Sequence, residues 1–199
     1  MDKVSDGSTV QIPAFEFNVG AAPNLQLHFV GPLVLSAPNQ GNDAFGPGDI
    51  ELGAKYCFMN EKGIRPQIGI FPMIELPSGD AVHGLGNGTL WARFPLWLQK
   101  SRGPWTTYGG AGYEVNRAPE MQDSIFAGWL LQRDFGRKLT LGGELYAQTA
   151  QTIAGLGSGY LNAGGYYYFN PDFQLLFMLG HTITGESHTV GYWGLYWTW

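Results

Sequence analysis

The chain has 199 residues, enough for roughly one domain, with 30 glycines, 15% aromatic residues and only 14% charged ones. Glycine without a three-residue repeat excludes collagen, and abundant aromatics exclude disorder. The net charge of −5 offers nucleic acid no basic footprint.

Between clusters of Gly, Pro, Asn and Asp, nearly every segment alternates with a period of two, and none holds a helical period. The alternation predicts eleven strands in a single domain spanning 1–199. They fall at residues 9–19, 24–36, 48–60, 64–76, 88–100, 104–116, 123–133, 138–149, 159–169, 172–182 and 188–199. The connections alternate in length. Short ones lie at 20–24, 60–63, 100–104, 133–138 and 170–172; long ones lie at 36–48, 77–88, 116–123, 149–158 and 182–188. In an antiparallel meander, alternate turns lie at opposite ends, so one end carries tight turns and the other carries loops. Outer-membrane barrels have that asymmetry. About eleven residues at ~3.3 Å, tilted by ~40°, rise nearly 28 Å, close to the hydrocarbon thickness of a bilayer. No stretch approaches the length of an apolar transmembrane helix.

The charges decide which face meets lipid. Only eight of the 27 lie inside the predicted strands: Glu16, Glu51, Lys55, Arg65, Glu75, Arg93, Glu114 and Glu144. All eight sit opposite the stronger apolar series: Phe15, Phe17 and Val19 oppose Glu16, for example, and Leu90, Phe94, Leu96 and Leu98 oppose Arg93. A soluble barrel would need a well-charged outer face. Five Glu and three basic residues suit instead a lumen of compensating ions. The expected fold is therefore a transmembrane antiparallel up-and-down β-barrel with its apolar face toward lipid. Trp97, Trp105, Trp129, Trp193, Trp197 and Tyr113 are expected in interfacial girdles. Strands 123–133 and 159–169 fit either orientation, the run Tyr166, Tyr167, Tyr168, Phe169 above all.

The last strand ends YWGLYWTW. Tyr192, Gly194, Trp197 and Trp199 resemble the C-terminal assembly signal of outer-membrane barrels, with Trp in place of the usual final Phe. Barrels of this class have an even strand number and both termini in the periplasm. Eleven strands place Met1 at the opposite end, so the expectation is a twelve-stranded complete protein whose export signal and first strand precede Met1.

Several stretches carry a family resemblance: NVGAAPNLQLHFVGPL (18–33), GDIELGAKYCF (48–58), RPQIGIFPMIELPSGD (65–80), GLGNGTLWARFPLWLQKSRGPWTTYGGAGYEVN (84–116), GWLLQRDF (128–135) and LTLGGELYAQTA (139–150). They resemble the bacterial family labelled as the MetA pathway of phenol degradation, over nearly the whole chain. The resemblance implies an outer-membrane barrel handling small aromatic or other hydrophobic molecules. It brings no catalytic motif.

Other motifs admit plainer readings. His181, Glu186, Ser187 and His188 fall within one loop and its strand ends, and could in type serve a rim-active lipid hydrolase. The plainer reading is a polar outer loop, and the chain is not expected to be an enzyme. Residues 77–88, with His83, read as a mobile surface loop able to help gate the lumen; the Gly–Lys spacing of a phosphate loop is absent. His28, His83, His181 and His188 show no metal-ligand spacing, and neither metal nor cofactor is expected. Cys57 shares the polar parity and reads as a small inward filler. Pro13, Pro32, Pro66, Pro72 and Pro95 each remove a ladder donor. They are either rim kinks or bulges that open a path from lumen to lipid.

The function expected from this reading is passive passage of a small hydrophobic or aromatic molecule across the bacterial outer membrane. Membrane lipid, the barrel assembly machinery and the solute are the expected partners, and nucleic acid is not one. The alternatives are the rim hydrolase and a non-conducting structural or adhesion barrel, since a narrow barrel can be filled by its own side chains.

Overall fold

The computed structural model describes residues 2–4, 7–38 and 40–199, with side chains from residue 8 onward except residue 39. Among these, fourteen strands form one antiparallel sheet. In chain order they are β1 (Asp2–Val4), β2 (Gly7–Ala22), β3 (Leu25–Pro38), β4 (Ala44–Pro47), β5 (Ile50–Met59), β6 (Gln67–Ile70), β7 (Met73–Leu76), β8 (Trp91–Arg102), β9 (Trp105–Asn116), β10 (Ser124–Phe135), β11 (Leu139–Gln148), β12 (Ser158–Asn170), β13 (Phe173–Thr184) and β14 (Thr189–Trp197).

The pairings run from neighbour to neighbour and return on themselves. Strands β8 to β14 form an unbroken meander. Strand β1 pairs with both β14 and β2, then β2 with β3 and β3 with β5. Strand β5 meets β6 and β7, and both meet β8. The circuit is an up-and-down barrel. Ten strands, β2, β3, β5 and β8 to β14, run its height, and β6 and β7 together make the eleventh, in line with the eleven predicted. A twelve-residue strand such as β9 is roughly 40 Å long and, tilted by ~40°, rises about 30 Å.

Two details differ from the sequence reading. The predicted strand 64–76 is split: residues 62–65 form a turn, and the ladder is interrupted at Phe71 and Pro72 between β6 and β7. Pro72 and Pro95 stand diagonally across adjacent strands, and neither has an N–H to give. The ladder there is reduced to Phe71 N donating to the Pro95 carbonyl at 3.3 Å. Strand β4 is an added flap on β3. Strand β1 lies between β14 and β2. It meets β14 only at Asp2↔Val190 and Lys3↔Thr189.

The other prolines disturb the wall less. Pro13 lies in a register shift of the β2–β3 ladder. Pro32 keeps a ladder partner in Ala14, and on its β9 side even Pro95 keeps one in Gly112. Pro66 precedes β6.

Tight turns gather at one end. Asn24 takes a left-handed φ of 63° in the two-residue β2–β3 turn, and Gly103 turns β8 into β9 at φ 59°. Asn and Gly are the residues for which that conformation costs least. The wall is inverted relative to a soluble protein. Phe15, Phe17, Phe94, Leu96, Leu98, Leu145, Leu161, Trp193 and Leu195 are exposed on the outside. The most enclosed side chains include Glu114, Ser124, Thr140 and Asn162. No helix among the described residues is long and apolar enough to cross a membrane.

Candidate functional site: the barrel lumen

Lumen side chains come from every second residue of each strand, and they form two polar networks and an aromatic row. The first network lies toward the long-loop end of β8–β11. Glu114 is 0% exposed. It accepts from Arg93 Nη2 at 2.9 Å, Gln148 Nε2 at 3.2 Å and Gln151 Nε2 at 2.7 Å. Gln148 also donates to Ser124 Oγ at 3.0 Å. Cross-strand register sets this cluster: Arg93 pairs with Glu114, and Glu114 with Ser124. Gln151 belongs to loop 149–157, which is tied to loop 117–123 by backbone bonds between Gln122 and Gln151 (2.8 Å) and between Ile153 and Glu120 (2.9 Å). Two outer loops thus dock together and send one amide down to the buried carboxylate.

The second network crosses the circuit at β14, β2, β3 and β5. Tyr192 and Tyr196 share a hydroxyl contact of 2.8 Å, and Tyr196 donates to Glu16 at 2.9 Å. Asn18 Nδ2 donates to Glu16 at 2.6 Å. The His28 ring meets Asn18 Oδ1 through Nδ1 and Glu51 Oε1 through Nε2, both at 2.9 Å. Each ring nitrogen thus faces an oxygen of a neighbouring strand.

Between the networks lies the aromatic row. Trp97 stacks on Tyr108 with centroids 5.0 Å apart; Phe126 lies 6.1 Å from Trp97, Tyr146 6.1 Å from Phe126, and Tyr160 6.2 Å from Tyr146. The row spans β8 to β12 at one level. Glycines make room for it. Trp97 pairs with Gly110, where an added Cβ would stand 2.6 Å from the indole and 2.0 Å from the Leu96 carbonyl oxygen. Phe126 pairs with Gly112, where a Cβ would stand 2.4 Å from the ring. The high glycine and aromatic contents are thus linked: inward rings lie flat across cross-strand glycines. Such ring pairs contribute about 0.5–1.5 kcal/mol each beyond area burial.

Below the row, toward the tight turns, is a cavity of about 390 Å³. Lys55, Phe71, Trp97, Tyr108, Gln67 and Gln99 are among its walls. Cys57 also lines it, its Sγ 3.4 Å from the Met59 carbonyl.

The residues singled out from sequence fall as follows. Glu16 and Glu51 are in the His28 network, and Arg93 and Glu114 in the buried one. Glu144 accepts from Asn162 at 2.8 Å, Glu75 accepts from Asn87, and Lys55 lies over Phe71 at 4.8 Å. Arg65 is not on a strand; it is exposed in the turn that precedes β6. Trp97 is not a girdle residue, because its ring points inward onto Tyr108. Trp129 and Trp193 are exposed but stand midway along β10 and β14, whereas Trp105, Trp197 and Tyr113 are exposed nearer strand ends. The ambiguous run separates cleanly: Tyr166 stacks with Tyr168, and Tyr167 meets Phe169 edge-on. At the C-terminus, Trp197 and Trp199 are exposed while Tyr192 and Tyr196 flank Gly194.

Loop 77–88 is fastened at two points. Asp49, itself buried, accepts from Gly79 N at 2.8 Å and Asn87 N at 2.5 Å, and Leu85 is buried. Its one helical turn, at Ala81–His83, is capped by Asp80. The His83 hydrogen bond to Asp80, 2.6 Å long, holds that carboxyl below the usual Asp range. On loop 182–188, His181 Nδ1 engages Thr189 Oγ1 at 3.0 Å and Glu186 lies 3.8 Å from His188. No group of three or more His, Cys, Asp or Glu residues among those described could hold a metal ion.

Comparison with known proteins follows from this architecture. The family model described as "Putative MetA-pathway of phenol degradation" matches residues 7–198. The chain belongs to this family. No curated protein matches the sequence. Among solved structures, an outer-membrane channel from Pseudomonas putida F1 is similar, with a TM-score of 0.70 and 15% identity over 92% of this chain and 79% of that one. The family member described here therefore has the fold of an outer-membrane channel: a transmembrane antiparallel β-barrel.

Proposed function

We propose that the chain is an outer-membrane channel for passive passage of small hydrophobic molecules, aromatic ones in particular. The observation that carries this reading is the inward row Trp97, Tyr108, Phe126, Tyr146 and Tyr160 directly above a cavity of about 390 Å³. A solute with a π-face that crosses this level can rest on one ring or its neighbour, and each contact is weak enough to release it. The polar networks keep the rest of the wall water-compatible and orient the solute. Family membership and the fold of the P. putida channel support an outer-membrane location. Passage of this kind makes and breaks no covalent bond, so the proposal includes no enzyme activity. Membrane lipid surrounds the exposed apolar band, and the C-terminal strand is read as the segment that the barrel assembly machinery engages.

Single-channel recording in a planar bilayer tests the proposal. The refolded protein is expected to give discrete current steps, and benzyl alcohol is expected to interrupt them in proportion to its concentration. Trp97→Ala with Phe126→Ala is expected to abolish the interruptions while the steps persist. Insertion without current steps, or steps indifferent to benzyl alcohol, would overturn it.

A further inference from the structure

The cavity below the aromatic row combines features that the row itself lacks. Its walls hold aromatic surface from Phe71 and Trp97, the amides of Gln26, Gln67 and Gln99, and one cation, Lys55. No carboxylate lines it. Lys55 has no ion pair among the described residues; its ammonium rests 4.8 Å from the centroid of the Phe71 ring, in a cation–π contact. The nearby lumen carboxylates hold hydrogen-bond partners of their own, and Glu16 reaches Lys55 only electrostatically, without contact. Glu16 accepts from Tyr196 and Asn18, and Glu51 is 2.9 Å from His28. Arg93, by contrast, is neutralised by Glu114 at 2.9 Å, and Lys100 by Glu61 at 2.7 Å.

Size and chemistry then select a ligand. An apolar cavity of about 150 Å³ accepts benzene, so 390 Å³ holds one substituted ring with room for a polar group and water. The Lys55 ammonium is exposed and has no carboxylate in ion-pair contact; an anion seated in the cavity would complete it, and a carboxylate accepts both from it and from neighbouring amides. We infer that this cavity is a binding site for a small aromatic carboxylate, with its ring against Phe71 and Trp97 and its anionic group on Lys55 Nζ, flanked by the glutamine amides. The site stands at the tight-turn end of the lumen, where a solute that has crossed the aromatic row arrives. The inference builds on the channel reading by naming the class of solute that the lumen retains.

Calorimetric titration of the refolded chain in detergent, with sodium benzoate as probe, tests it. Saturable binding is expected, at least tenfold tighter than for benzyl alcohol, which has the same ring without the charge. Lys55→Met is expected to erase that tenfold preference, and Lys55→Arg to keep it. Trp97→Ala is expected to weaken both probes. Far-UV circular dichroism shows that each variant holds the barrel. Equal affinities for the two probes, or a preference that survives in a folded Lys55→Met barrel, would overturn the inference. The outcome is separable from the channel reading. Current steps blocked by benzyl alcohol without benzoate preference would refute the anion site alone. Benzoate preference in a barrel that never conducts would refute the channel alone.

Discussion

The Arg93–Glu114 pair offers the sharpest energetic test of the lumen. Glu114 is 0% exposed, and its only cation among the described residues is Arg93 at 2.9 Å. Arg93→Met keeps an unbranched apolar stem and removes the charge. Glu114 is then left with two neutral amides, from Gln148 at 3.2 Å and Gln151 at 2.7 Å. Breaking a buried pair in this way costs about 3–5 kcal/mol, because the remaining charge is uncompensated. The guanidinium also lies 4.8 Å from the ring centroids of both Trp91 and Phe126, adding roughly 0.5–1 kcal/mol per contact. Urea unfolding from phospholipid vesicles, followed by tryptophan fluorescence, reads the loss. With a slope of about 2 kcal/mol/M, a loss near 4 kcal/mol moves the midpoint down by ~2 M. The decisive comparison is the double variant Arg93→Met with Glu114→Gln. A neutral amide needs no counter-ion, so the double variant should recover most of the loss. A midpoint within ~0.5 M of wild type for Arg93→Met, or a double variant no more stable than the single, would refute the claim that this pair is enclosed and mutually compensating.

Four further outcomes follow from the same geometry. Gly112→Val places a Cβ 2.4 Å from the Phe126 ring and 2.8 Å from the Pro95 backbone; it should destabilise the barrel by ~1–3 kcal/mol, partly relieved by Phe126→Ala in the same unfolding assay. Asp49→Ala removes the carboxylate that holds Gly79 N and Asn87 N; limited proteolysis should cut loop 77–88 at least tenfold faster, as expected for losing charged hydrogen bonds of ~1.5–3 kcal/mol. The Asp80 cap has a lowered carboxyl pKa, so its contribution is complete above the ordinary Asp value of ~3.9 and is lost as pH falls through the lowered value; hydrogen exchange at Val82 N and His83 N should rise, relative to an uncapped reference peptide, only in that acid window. Brominated lipid tails should quench Trp193 and Trp129, which are exposed midway along their strands, and should spare the inward Trp97 in single-tryptophan variants.

Much of the wall was legible from alternation alone, because a spanning strand cannot change faces without a bulge. Phe15 and Phe17 around Glu16, or Phe94 and Leu96 around Arg93, fix inside and outside without knowledge of any partner strand. Arg65 was misplaced because the alternation of β6 runs on backward into the turn, where nothing in the sequence marks the strand's start. Trp97 was misplaced although its parity with Arg93 already sets it on the inner face. Tryptophan suits a membrane interface and a lumen equally well, and only its register against Gly110 shows that the ring has a bare backbone to lie on. Register is also what makes the aromatic row and the Glu114 cluster. Gln148 and Gln151 carry no charge and stand 34 and 37 residues from Glu114, so no local pattern singles them out. The same holds for His28, which became the centre of a network only when β2, β3 and β5 were laid side by side. Tyr166 and Tyr167 could not be assigned to faces from an all-aromatic run, and their cross-strand neighbours settled it.

The central claim is that solute moves through the lumen defined by strand parity, and one matched pair of variants tests it. Gly128 points inward, with the Tyr146 ring 3.3 Å and Glu144 Oε1 3.5 Å from where its Cβ would stand; Ala127 is exposed on the outer face of the same strand. Single-channel conductance is to be recorded for the wild type, Gly128→Trp and Ala127→Trp. The account predicts equal current steps for the wild type and Ala127→Trp, and steps reduced severalfold or lost in Gly128→Trp. Undiminished conductance in Gly128→Trp, or its loss in Ala127→Trp, would contradict it.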